Sequence, residues 1–178
     1  MTNLGVIIGN RNFFPDHLVT ESRNELLSIF KKHNINPILL SESDTKLGGV
    51  ETFHDAEKCA NLFKSNSNII EGILVILPNF GDEKGVADTI RLSGLNVPVL
   101  VQAYPDDLDK LEVKNRRDAY CGKISVCNNL YQYGIKYTLT NNHVIHPSAD
   151  TFQNELIDFV SVCRVVKGMK RVRIGAVG

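Results

Sequence analysis

Six short runs of apolar, β-prone residues punctuate the chain, and a stretch patterned for a helix lies between each run and the next. The runs are Leu4 to Ile8, Pro37 to Leu40, Gly72 to Leu77, Val97 to Val101, Tyr137 to Thr140 and Val172 to Val177. They are continuous and not alternating, so strands built from them must be covered on both faces. Helices between successive strands supply that cover, which makes the sheet parallel and the connections right-handed. The pattern predicts a three-layer, doubly wound α/β fold of flavodoxin-like or Rossmann-like type, with strand order 2-1-3-4-5. Ligands would then approach the carboxyl ends of the strands, near the reversal between strands one and three.

The helical stretches have readable limits. The first, about Asp16 to His33, places Leu18, Val19, Leu26, Leu27, Ile29 and Phe30 on one side and Glu21, Arg23, Glu25, Lys31 and Lys32 towards solvent. The second follows Gly48-Gly49 and is marked by Phe53, Ala56, Ala60, Leu62 and Phe63; the third runs from about Asp82 to Leu92 and stops at Gly94, a natural C-terminal cap. A charged segment, Asp106 to Asp118, precedes the fourth, which contains Ile124, Val126, Cys127 and Leu130 before Gly134. The fifth spans Phe152 to about Val166.

Composition excludes several functions. The 20 basic and 20 acidic residues cancel, so no overall field draws nucleic acid or an anionic membrane. No apolar run approaches the ~20 residues that span a bilayer, and the start has neither the charged nor the apolar region of a secretory signal; the expected location is the cytoplasm. Cys59, Cys121, Cys127 and Cys163 have no zinc-finger or CxxC spacing and read as reduced, mostly buried thiols.

Three loops after strands carry unusual chemistry. Gly9-Asn10-Arg11-Asn12-Phe13-Phe14-Pro15-Asp16-His17 offers a cation, amides and paired aromatics, the mixture that binds a polyol: donors for hydroxyl oxygens and a ring for the C–H face. It is not a phosphate loop, and the competing reading has both phenylalanines plugging the core and Arg11 paired to a local acid. Pro78 to Lys84 repeats the mixture with Asn79 and Phe80, and Asp82 can cap the third helix. In Gln102 to Asp107 the adjacent carboxylates Asp106 and Asp107 read better as a turn than as an acid/base couple.

Two further features are weaker. Arg116, Arg117 and Lys123 flank the start of the fourth helix, where an anion could sit, or where Asp118 simply caps it beside solvated arginines. His143 and His146 lie three apart in a loop without nearby acids, which is weak support for a metal. The run Val172 to Val177 fits either an edge strand completing this sheet or the first strand of a following domain, with a boundary near Gly168-Met169-Lys170.

Four long segments, in order, resemble the fucose isomerase-like proteins related to L-fucose and L-arabinose isomerases. They are Gly9 to Leu18, Asn79 to Lys84, Pro98 to Asp106, and Arg116 to Leu130. The resemblance implies that residues 1–168 are the N-terminal α/β domain of a longer sugar isomerase and that 169–178 are a linker and the first strand of the next domain. It implies an aldose–ketose isomerase that moves a proton between C1 and C2 through an ene-diol, with a divalent metal, typically manganese, holding the sugar oxygens. The family's metal ligands lie in later domains, so neither a cofactor nor a catalytic residue is assigned in this chain. By position, Asn10, Arg11, Phe13 and Phe14 would contact the sugar substrate, with Asn79 and Asp82 as supporting elements, and the domain would form homo-oligomer contacts. The alternatives are a stand-alone sugar-binding or assembly domain, and a flavodoxin-like cofactor domain disfavoured by the first loop.

Overall fold

A computed structural model describes all residues, Met1–Gly178. Five parallel strands form one sheet: β1 (Thr2–Ile8), β2 (Ile35–Ile38), β3 (Gly72–Leu77), β4 (Val99–Ala103) and β5 (Thr138–Leu139), in the order β2-β1-β3-β4-β5. The connecting helices are α1 (His17–Lys32), α2 (Phe53–Ser65), α3 (Glu83–Ser93), α4 (Ala119–Gln132) and α5 (Asp150–Met169). The predicted class, strand order and three layers are those observed.

The continuous apolar runs are explained by two cores, one on each face. Ile7, Ile73, Val75, Leu77, Val99, Val101 and Ala103 face α2, α3 and α4. Their neighbours Leu4, Val6, Ile8, Leu74, Ile76 and Leu100 face α1 and α5, meeting Leu26, Phe30, Phe152, Leu156 and Phe159. Every residue of β3 is buried. At about 25 cal/mol per Å² of apolar surface removed from water, these two layers supply the dominant stabilising term. Pro37 is tolerated inside β2 because that strand is at the sheet edge, where its missing N–H is not needed by a second neighbour.

The run Val172 to Val177 does not complete this sheet, which removes the edge-strand alternative. Residues Val172–Val177 form no strand, and they are exposed. The reason is positional: α5 ends beneath the middle of the sheet, with Lys167 paired to Glu71 ahead of β3 and Lys170 bonded to the Asn96 carbonyl ahead of β4. The central strands are already paired on both sides, so no partner is within reach. The cysteines also divide: Cys59 and Cys163 are buried, Cys127 is half-buried, and Cys121 is exposed. Burial pushes the Cys163 thiol up to about 12, so it is a packing residue and not a nucleophile.

One close approach fixes the carboxyl edge. A Cβ on Gly122, in the first turn of α4, would overlap the backbone carbonyl of Phe80 in the loop after β3. Gly122→Ala should therefore cost about 1–3 kcal/mol, because neither backbone can yield cheaply. Gly168→Ala, with open space around it in α5, should be neutral or stabilising by about 0.5–1 kcal/mol. Urea unfolding of both variants measures the difference, and equal midpoints would show that α4 is not seated on the Phe80 loop.

Candidate functional site

The loop after β1 is tied down before any ligand arrives. Beyond Ile8 the chain continues its parallel pairing with Val50: Asn10 N–H donates to the Val50 carbonyl and Val50 N–H to the Ile8 carbonyl, at 2.9 and 2.8 Å. Asn10 is buried, and its amide donates to Glu51 (3.0 Å) and Asp16 (3.3 Å). Its carbonyl oxygen accepts from the amide of Asn79 at 2.7 Å, and Asn79 in turn accepts from Gly81 N–H at 3.0 Å. The two predicted site amides thus meet each other across the reversal between β1 and β3. Their polar atoms hold the two loops together and are withdrawn from solvent.

The other four predicted residues take different places. Arg11 donates through Nη1 to Glu83 at 2.5 Å and to the Gly81 carbonyl at 3.4 Å, and its guanidinium lies 4.8 Å from the Phe80 ring centre. Its side chain keeps 31% exposure, and Nε and Nη2 have no protein partner. Phe14 is buried beside Phe80 (ring centres 6.0 Å), whereas Phe13, 4.6 Å from Phe14, is 74% exposed. Asp82 is the N-cap of α3, accepting from Gly85 N–H at 2.6 Å. Arg11 and Phe13 therefore form the solvent-facing tip, with Phe14, Phe80 and the asparagine pair beneath it.

Sequence reasoning did not join a second cluster on the same edge. Glu25 of α1 accepts from the Tyr104 hydroxyl at 2.7 Å, and His146 Nδ1 lies 3.2 Å from its other oxygen. Arg117 sits over the Tyr104 ring at 4.9 Å and donates to the Pro78 carbonyl at 2.8 Å. Burial, then the hydrogen bond to Glu25, pushes the Tyr104 phenol well above its ordinary range, so it stays a neutral donor. The cluster clamps α1 to the loops after β4 and β5. It also disposes of the open anion site at the start of α4, since Arg117 is engaged and Arg116 pairs with Asp118. Asp118 has a left-handed backbone (φ +48°) and caps nothing with its side chain. Asp107 accepts from Asp109 N–H as a turn former, whereas Asp106 accepts from Asp118 N–H and ties the far end of the segment to the start of α4.

No group of three or more His, Cys, Asp or Glu side chains is arranged to hold a metal ion. His146 is committed to Glu25 and Ser148, and the His143 carbonyl accepts from Lys123. The donor set for manganese does not exist in these residues.

With this geometry in place, the family is clear. The chain belongs to the fucose/sulfoquinovose isomerase N-terminal domain family, whose model matches residues 5–170. It is thus a domain of the sugar isomerase class, as the four segments implied. Among solved structures it is similar to FerB, a flavoenzyme NAD(P)H:(acceptor) oxidoreductase from Paracoccus denitrificans. The two share 14% identity over 93% of this chain and 98% of that one, with a TM-score of 0.52. At that identity the likeness is one of fold. No curated protein matches the sequence. No helix is long and apolar enough to cross a membrane.

The clamp gives a direct test. Tyr104→Phe keeps the ring under Arg117 but removes the donor to Glu25, and should cost about 1–3 kcal/mol of unfolding free energy. Chemical denaturation measures it; a change below about 0.3 kcal/mol would mean that water replaces the phenol at no cost.

Proposed function

We propose that this domain supplies substrate contacts and assembly surface to a metal-dependent aldose–ketose isomerase acting on a sugar such as L-fucose or L-arabinose, in the cytoplasm. The observation that carries the reading is the family match across residues 5–170, a range that includes every loop of the carboxyl edge. Residues 169–178 are then the passage into the following domain. Metal ligands and the carboxylates that exchange the C1 and C2 protons belong to that remainder, so no chemical step is assigned to this chain.

What these residues would do is bind and orient. The free Nε–H and Nη2–H of Arg11 can donate to adjacent sugar hydroxyls, while Glu83 and the Phe80 ring fix the plane of the guanidinium. The exposed face of Phe13 can cover the sugar's C–H side. None of the five principal clefts is lined by Arg11 or Phe13. A protruding tip of this kind suits a contribution to a site completed by a neighbouring subunit, where a ridge enters a cavity.

Two measurements test the proposal. The 178-residue chain should not isomerise any aldose in the presence of manganese, and manganese should not raise its Tm, because a metal bound only to the folded state must stabilise it. Turnover above background, or a clear upward shift, would overturn the assignment. In the isomerase containing this domain, Arg11→Ala should lower kcat/KM by the equivalent of about 1.5–3 kcal/mol. Its partly exposed ion pair with Glu83 contributes about 1 kcal/mol, so unfolding should change little. Loss of folding with unchanged activity per folded molecule would make Arg11 structural.

A further inference from the structure

The strongest unexplained charge in the molecule is Lys123. It lies in α4 at 3% exposure, and its Nζ donates to the Thr140 hydroxyl at 2.8 Å and to the His143 carbonyl at 2.9 Å. An ammonium has three N–H donors, and two of them have protein partners. It forms no ion pair; Glu155 of α5, the acid that acts on it, is itself bonded to Asn141 N–H. Two neutral oxygens do not repay the removal of a full charge from water.

Lys123 is also the buried member of the wall of a half-open cleft of about 350 Å³ between α4 and β5. The rest of that wall is largely apolar and aromatic, with Tyr120, Ile124, Tyr131, Tyr137 and Leu139. This cleft is at the far edge of the sheet from the Arg11 tip, and neither the clamp at Glu25 nor the proposed sugar contacts use it.

We propose that this cleft binds small monoanions with a planar apolar or aromatic body, the carboxylate accepting from the third N–H of Lys123 and the body lying among the tyrosines. A carboxylate there would supply the missing counter-charge to an ammonium that is itself buried, where the attraction is stronger than between fully exposed charges. A single charge matches a single ammonium, since Lys123 is the one lysine or arginine in a wall whose other nitrogen base is His143. The volume accommodates a ring and a short substituent, and the aromatic walls favour a flat one.

The protonation of Lys123 makes the proposal testable by pH. Burial pulls its ammonium down to about 8, partly opposed by Cys127 on the same helix and Glu155 on α5. Tyr120, Tyr137 and His143 also face the cleft. With no ligand, the folded-state value is depressed, so between about pH 8 and 10.5 the unfolded chain holds a proton that the folded chain has released. Stability therefore rises with pH across that window by Lys123's share, and Lys123→Met should lack this share.

Benzoate is the probe and benzamide its neutral counterpart, measured by calorimetry or by chemical shifts of the protein. At pH 7 benzoate should bind at least about tenfold tighter than benzamide. Its affinity should fall on the order of tenfold or more between pH 7.5 and 9.5 as Lys123 loses its proton, while benzamide is unaffected. In Lys123→Met, which removes the charge at similar volume, the preference for benzoate and the pH dependence attributable to Lys123 should both vanish. Equal affinities for the two probes, no saturable benzoate binding, or a benzoate preference that persists in the variant would overturn the proposal. The comparison on the unaltered protein decides the matter even if the variant folds poorly.

Discussion

The central strands β1, β3 and β4 are paired on both sides and packed on both faces, and that double enclosure governs everything else in the molecule. A parallel pair cannot be closed by a tight turn, so each strand must return through a helix, and each helix must start at the carboxyl edge. All five helix entrances and all strand-exit loops are therefore crowded onto one side. Chemistry concentrates there because the interior leaves no backbone or side-chain position free to carry it.

Crowding alone would leave those loops loose, and specific polar contacts remove the slack. The buried pair Asn10–Asn79 joins the loops after β1 and β3 at the point where the strand order reverses. Gly122 lets α4 settle on the Phe80 carbonyl, and Glu25 gathers Tyr104 and His146 from the next two loops. The asparagine pair is buried and would be costly to leave unsatisfied, the Gly122 approach is steric, and the Glu25 cluster is partly exposed; together they favour one arrangement of the edge. The tip at Arg11 and Phe13 therefore stands on a tied base.

The fold was legible because burial on both faces writes itself into sequence as uninterrupted apolar runs, as in Gly72 to Leu77. Helix ends were legible where one residue type has a unique conformational use, as Gly94 does with its φ of +67°. The short β5 and the terminal run Val172 to Val177 show the limit, since β-propensity does not reveal whether a strand has a partner within reach. Side-chain clusters were harder. Glu25 and Tyr104 are far apart in the chain, and Glu25 counted as one more solvent-facing charge on the first helix. Composition marks the asparagines of the two loops as polar, and only the packing shows that they bond each other across the reversal, satisfying groups the loops bury. Lys123 sat in a row of basic residues at a helix start, and only three-dimensional packing separates it from Arg116 and Arg117.

Those cations show how the same residue class comes to differ within one edge. Arg116 and Arg117 lie near the mouth of α4, where a carboxylate and a ring respectively reach them, so their charge is shared. Arg11 is held by Glu83 but leaves half its fork turned outward, an arrangement suited to recognising hydroxyl groups without the cost of stripping a bare charge. Lys123 has no acid within ion-pair distance, and its protein partners are two neutral oxygens. Selection for stability would replace such a lysine with methionine or leucine, which fit the space and bury no charge. A buried, unpaired ammonium opening onto an aromatic cleft is thus the position on this edge least accounted for by folding, and a counter-ion from outside the chain accounts for it.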